Sequence, residues 1–462
     1  MQNQVRLKGG AFLVTAGMAV ALLAIGIAPS NAGPFQWLTG RQQDNIQGRD
    51  GQQVAPNPGG GGSGGFRLFG GGSRANPAAP TGATELAQDD PEAMMITNPA
   101  LGTPTLSSRN IAATKAAIES YRAIAARGGW PMVPGRVMKP GQRGQDIALL
   151  QQRLEASGDL VGMSVPGEYD GAVVGAVKRF QIRHGLPPTG VVDSKAMVAA
   201  LNVPAGVRLS QLETNLKRLQ KLAPSATGRY VLVNIPAAQV EAVDGGQVAL
   251  RNAAVVGKPE RPTPELTSKI HEINFNPYWH VPQTIVQKDL VPKGREFARR
   301  GQDMLAAYHM QAFDQAGNPL HPQQIDWNGT EVYNYRFRQL PWVENSLGFV
   351  KINFPNKDAV YLHDTPLKSL FGQAVRFESS GCVRVHNVDR LVAWIMRSTS
   401  GWDLGRIQSM KRTREQLTVP IANRVPIYLS YISAWSTPDG QVHFRPDIYH
   451  HDGSATLATS AY

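Results

Sequence analysis

The 462 residues contain a single cysteine, Cys382. With no second thiol the chain can form no internal disulfide, which excludes a disulfide-stapled scaffold. Charged residues are few, at 18% of the chain, and no dense run of Lys and Arg with interleaved aromatics marks a nucleic-acid surface. The ten histidines include the pair His450-His451, but none joins Cys, Asp or Glu at metal-ligand spacing, so no metal or other cofactor is expected. That pair reads as part of a solvated C-terminal tail over 434–462. Long apolar runs are also missing, apart from one at the start.

That run, Ala11 to Ile27, follows Arg6 and Lys8 and is broken by Pro29. Ser30-Asn31-Ala32 then places small residues where a signal peptidase reads. Residues 1–32 are therefore expected to be a secretory signal, with an uncleaved anchor as the alternative. Either places the rest of the chain outside the cytoplasm, in the periplasm or cell envelope. A lone thiol there invites oxidation, which raises the question of its use. The net charge of +12 favours polyanions, whether nucleic acid, anionic lipid or an acidic wall polymer, without choosing among them.

Glycine and proline are plentiful, at 47 and 33, and gather near the N-terminus. Residues 33–107 include PNPGGGGSGGFRLFGGGSRANPAAP, whose glycines lack the apolar contact needed to order them; this reads as a flexible tether. Helical spacing of Ile111, Ile118, Tyr121 and Ile124 begins a scaffold segment over 108–138. Residues 139–203 carry three short amphipathic helices, with Ile147, Leu150 and Leu154 on the first and Val173, Val177 and Phe180 on the second. A connecting helix follows within 204–228, with Leu212, Leu216 and Leu219 on one face. From 229 the period falls to two in YVLVNIP, QVEAVD and VALRNAAVVGK, so 229–433 is mainly β. Within it 287–345 turns helical and aromatic, as a capping insertion or binding lid would.

Chemistry concentrates in VYLHDTPLKSLFGQAVRFESSGCVRVHN, residues 360–387. Gly381 immediately precedes Cys382 and permits a sharp turn that brings backbone N–H groups to a reacting carbonyl. His363 ends an alternating strand and can take the thiol proton, giving a thiolate–imidazolium pair. Arg384 adds positive potential and can hold a carboxylate or carbonyl.

KPGQRGQDIALLQQRLEASG with YDGAVVGAVKRFQIRHGLPPTGVVD resembles a small peptidoglycan-binding domain. The set His363, Ser379, Gly381, Cys382 and Arg384 resembles the active-site signature of the L,D-transpeptidase family, with a YkuD-type catalytic domain. FNPYWHVP and FPNKDAVYLHDTP extend the likeness toward its large periplasmic branch. The resemblance implies an α+β multidomain fold: a mainly-β catalytic domain with a capping insertion, plus a three-helix peptidoglycan-binding domain. It implies Cys382 as nucleophile and His363 as base, oriented by the backbone carbonyl of Asp364. Gly381 would give an oxyanion N–H, and Ser379, Ser380, Arg384 and Tyr361 would meet substrate; core packing is the other reading of Tyr361. Many members have His where Ser380 stands and Gly where Asp364 stands.

The implied reaction cuts after diaminopimelate in a tetrapeptide stem, through a Cys thioester, and passes the acyl group to another stem as a 3→3 cross-link. Water as acceptor would make a carboxypeptidase. An outer-membrane protein as acceptor would be tethered to the wall. Carbapenems are the expected covalent inhibitors. A non-catalytic wall-binding scaffold is the alternative from another class.

Overall fold

The computed structural model describes residues 100–454 and Leu457. The expected signal and nearly all of the expected tether lie outside the described residues. Among the described residues no helix is long and apolar enough to cross a membrane.

The ordered chain begins earlier than the tether boundary at 107 suggested. Thr105 donates from its hydroxyl to the buried carboxylate of Glu241 at 2.7 Å, and from its amide at 3.0 Å. A partner 136 residues away leaves no local pattern. Ser107 then caps the helix Ser108–Ala126 by accepting from Asn110 N.

The helices Gln145–Ala156, Gly171–Arg183 and Lys195–Asn202 form a small domain around Leu150, Leu154, Val173, Val177, Phe180 and Leu201. Asp170 and Ser194 cap the second and third helices through Val173 N and Met197 N. This domain is docked by stacked cations. Arg153 lies 3.7 Å over the Trp130 ring and donates to Leu201 O, while Arg183 pairs with Asp159 at 2.5 Å. Arg445 donates to Arg183 O at 2.8 Å and so joins the domain to the C-terminal segment.

The β region is built on strands β1 (Tyr230–Asn234), β2 (Gln239–Asp244), β3 (Gln247–Gly257) and β4 (Leu266–Phe275). A separate sheet follows: β5 (Trp279–His280), β6 (Met310–Phe313), β7 (Pro319–Leu320) and β8 (Arg336–Gln339), in the order β5-β8-β6-β7. The main sheet resumes with β9 (Val350–Asn353), β10 (Leu362–His363), β11 (Phe377–Ser379), β12 (Val383–Val385) and β13 (Leu417–Ser430). Its order is β11-β3-β12-β10-β9-β4-β13-β1-β2, and β2 also pairs with β3, so the sheet closes on itself like a barrel. Alternate residues fill the inside, among them Val231, Val233, Ile270, Ile273, Ile352, Leu362 and Val383. The helices Val388–Met396 and Leu404–Thr413 pack into the same core through Leu391, Val392, Ile395, Ile407 and Met410. The first has its apolar residues Val388, Leu391, Val392 and Ile395 at helical spacing.

Two boundaries need correction. The cap has its own sheet and its own core, which includes Trp279, Val281 and Leu347, so it spans about 279–347 rather than 287–345. The segment expected to be a tail from 434 is folded. Strands β14 (Ala434–Ser436) and β15 (Val442–Phe444) pair with each other, and Phe444 packs with Tyr121 and Leu212. Arg218 pairs with the buried Asp452 at 2.5 Å. Those partners are hundreds of residues upstream, and segments of three residues are too short to show a period. His450 and His451 are exposed.

Gly294, in the cap helix Val291–Arg299, lies flat against Trp327; a Cβ there would sit 2.1 Å from the ring. The substitution Gly294→Ala should therefore lower cap stability by about 1–3 kcal/mol. Limited proteolysis should show cleavage within 279–347 before any in the barrel.

Candidate active site

The site follows from the register of three short strands. β10 runs parallel to β12 with Leu362 opposite Val383 and His363 opposite Arg384, and antiparallel to β9 with His363 opposite Lys351. Leu362 and Val383 belong to the barrel core. Alternation therefore sends Tyr361, His363, Cys382 and Arg384 to the other face, with Lys351 beside them. Cys382 and His363 stand one strand across and two residues along, which sets their Cα atoms about 8 Å apart. That is within reach of two side chains leaning together.

Cys382 is half-buried and sits just outside β12, after a tight turn. Gly381 has φ +111°, a conformation that favours glycine. Its N–H donates to Ser379 Oγ at 3.1 Å, and Ser379 Oγ donates to Cys382 O at 2.5 Å. These bonds correct two expectations. Gly381 N–H is already engaged and does not point at a substrate oxyanion, and Ser379, only 2% exposed, holds the turn rather than a ligand. Among the described residues the Cys382 amide shows no such backbone acceptor. Ser380 Oγ accepts from Arg261 Nη1 at 2.9 Å, so it too is engaged from the protein side.

His363 is buried, and its Nδ1 lies 2.5 Å from the Asp364 carbonyl oxygen. A carbonyl only accepts, so Nδ1 carries the proton and Nε2 is left basic. The Asp364 carboxylate turns away from the ring; it pairs with Lys368 and accepts from Phe349 N at 3.2 Å. Burial, with Arg384 and Lys351 nearby, pushes the imidazole down to about 3. Burial likewise pushes the Cys382 thiol up, opposed by hydrogen bonds from Tyr361 and by the charges of Lys351 and Arg384. Burial thus opposes charge on each member of the thiolate–imidazolium pair expected from sequence, while Lys351 and Arg384 oppose the imidazolium and favour the thiolate.

Tyr361 comes closest to the sulfur. Its hydroxyl hydrogen-bonds Cys382, and the cap residue Trp279 bonds that hydroxyl in turn. Lys351 Nζ lies 4.2 Å over the Tyr361 ring, whose centroid is 5.7 Å from that of His363. Burial and the neighbouring thiol hold the phenol well above its ordinary value, so it stays a donor. Arg384 is 8% exposed, and its Nε and Nη1 have no hydrogen-bond partner. Burial lowers it to about 10, so it remains a cation with donors free for an acceptor from outside. Among the described residues no group of His, Cys, Asp and Glu could hold a metal ion.

Lys351, Trp279 and Arg261 were missed as site residues. Lys351 alternates with the core residues Val350 and Ile352, which signals a face but not which residue it meets. Trp279 lay in the quoted FNPYWHVP without a role. Arg261 sits in a loop with no period at all.

Comparison with known proteins finds likeness in two stretches of the chain. Residues 228–418 match the family model of the L,D-transpeptidase catalytic domain, YkuD, and residues 143–199 match that of a putative peptidoglycan binding domain. A putative L,D-transpeptidase of Haemophilus influenzae is 32% identical over 249 residues, covering 54% of this chain and 49% of that protein. The chain thus spans about half the length of that relative. Among solved structures, an L,D-transpeptidase from Stackebrandtia nassauensis superposes with a TM-score of 0.25 at 14% identity, covering 65% of this chain and 96% of that one. One from Xylanimonas cellulosilytica gives 0.21 at 18% identity, covering 64% and 100%. Superpositions this loose carry no argument about the site.

Two measurements check the electrostatics. Because Tyr361 lowers the thiol value, Tyr361→Phe should move the pH midpoint of Cys382 alkylation by iodoacetamide upward from the wild-type midpoint. His363 stays neutral in the fold down to about 3, while the unfolded chain takes up that proton below about 6.5. Acid therefore favours unfolding through this group, and between those values His363→Gln should lose stability less steeply with falling pH, by up to one bound proton.

Proposed function

We propose that this chain, which carries an L,D-transpeptidase catalytic domain of the YkuD family beside a peptidoglycan-binding domain, is an exported enzyme that forms 3→3 cross-links between diaminopimelate residues of the cell wall. The observation that carries the reading is the shared face of Cys382, Tyr361, His363 and Arg384, fixed by the pairing of β10 with β12. The peptidoglycan-binding domain would hold the polymer while the catalytic domain engages its stems.

In the first step Cys382 Sγ attacks the carbonyl of diaminopimelate in a tetrapeptide donor. The thiol proton passes to His363 Nε2, which the Asp364 carbonyl keeps free. Burial of both groups, which opposes charge on each, suits an order in which charge separates as the carbonyl is attacked. The Cys382 amide stabilises the oxyanion, and the Tyr361 hydroxyl lies beside the sulfur to assist. His363 returns the proton to the leaving D-alanine, and the thioester remains. The side-chain amine of a second stem then attacks the thioester, gives up a proton to His363 and releases Cys382. Arg384, with two unpartnered donors, would bind a stem carboxylate or carbonyl.

The same thioester would take a carbapenem acyl group, and water or a protein amine could replace the second stem. Wild type incubated with disaccharide-tetrapeptides should yield cross-linked dimers by mass spectrometry. Cys382→Ala should yield none, and His363→Ala should lower the rate by about 100-fold or more. Release of tripeptide and D-alanine alone would replace cross-linking by hydrolysis. Failure of wild type to be acylated by either tetrapeptide or carbapenem would end the reading.

A further inference from the structure

The loop between β3 and β4, residues 258–265, reaches behind the nucleophile turn at two points. Thr263 Oγ1 donates to Gly381 O at 2.8 Å and accepts from Gly257 N at 2.9 Å. Arg261 Nη1 donates to Ser380 Oγ at 2.9 Å. The same guanidinium makes a forked ion pair with Asp289, Nη2 to Oδ1 at 3.0 Å and Nη1 to Oδ2. Asp289 belongs to the cap. It sits in a π-helical turn, Val286–Leu290, placed between the helical turn Gln283–Ile285 and the helix Val291–Arg299.

We propose that Arg261 is a positioning residue that couples the seating of the cap to the geometry of the Cys382 turn. One planar group touches both bodies, and a forked guanidinium can hold a carboxylate with two donors while giving one to a hydroxyl. The π turn inserts a residue into the helical path and turns the following side chains, a device found mostly at functional sites. Val286 and Leu290 are buried in the cap core, which fixes the rotation of that turn. Asp289 is thereby held toward Arg261, and the pair is largely screened from solvent, with side chains 13% and 14% exposed. Ser380 and Gly381 set the direction of the Cys382 amide and sulfur. A cap that lifts draws Asp289 off Arg261, frees the guanidinium from Ser380 and lets the turn relax. A cap that seats on substrate restores the attack geometry.

This proposal rests on reading Cys382 as the reactive thiol, and its test is kept separate from turnover. Cys382 is the chain's only thiol, so iodoacetamide reports on it alone in the full-length protein. Asp289→Asn and Ser380→Ala, whose residues meet only through Arg261, should each change the alkylation rate by about threefold or more. The double variant should show no more than the larger single effect. In an Arg261→Ala background both should become silent. Arg261→Lys, which keeps the charge but not the fork, should match Arg261→Ala and serves if the latter misfolds. Multiplicative effects in the Arg261 protein would overturn the coupling, as would effects that persist without Arg261. Tetrapeptide turnover is measured in parallel. Coupled alkylation without turnover in wild type sinks the proposed function and leaves the positioning role standing; turnover with independent effects does the reverse.

Discussion

The candidate site depends on two rungs of parallel pairing between β10 and β12. Leu362 and Val383 turn into the barrel core, and that burial fixes the faces of their neighbours. A slip of one residue in either strand would bury Tyr361 and His363, or Cys382 and Arg384, in the apolar interior. The register is held more strongly by the barrel than by so few bonds. β10 is flanked by β9 and β12, and each is paired again on its other side. Hydrophobic burial of one face therefore pins the reactive face.

Seen from that face, the site is a place where charge has been kept back. Burial opposes charge on both His363 and Cys382, while Lys351 and Arg384 stand beside them as cations. Such an arrangement favours negative charge that arrives or develops, whether a thiolate, an oxyanion or a substrate carboxylate. The Tyr361 hydroxyl, bonded to the sulfur and held by Trp279, makes the cap part of that environment. The cap and the barrel have separate cores, and contacts that join them include this one, the packing of Tyr361 against the cap core and the Arg261–Asp289 pair.

Much of the architecture was legible in the sequence because its segments are long and periodic. The first two short helices of 139–203 carry their apolar residues at helical spacing and end near Gly158 and Gly185, and the third stops before Pro204. Strands β1 to β4 and β13 run over five or more residues. The Gly381-Cys382-x-Arg384 string could be read because it is contiguous. What escaped was short or distant. β10 has two residues and β14 three, below the length at which a period is visible. The folded C-terminal segment is held by helices far upstream, and Thr105 by Glu241, so neither left a local pattern.

The sequence by itself determined which groups are available: one thiol, an imidazole at the end of a strand, a glycine able to turn the backbone and an arginine two residues on. It also determined the fold class, since periodicity is a property of neighbouring residues. Only the tertiary structure decided how those groups are used. It assigned the Gly381 amide to Ser379, placed the Tyr361 hydroxyl on the sulfur, and buried the imidazole so that charge on it is opposed. These outcomes depend on desolvation and on partners brought together across the fold. Both are set by burial and distance, which residue order does not contain.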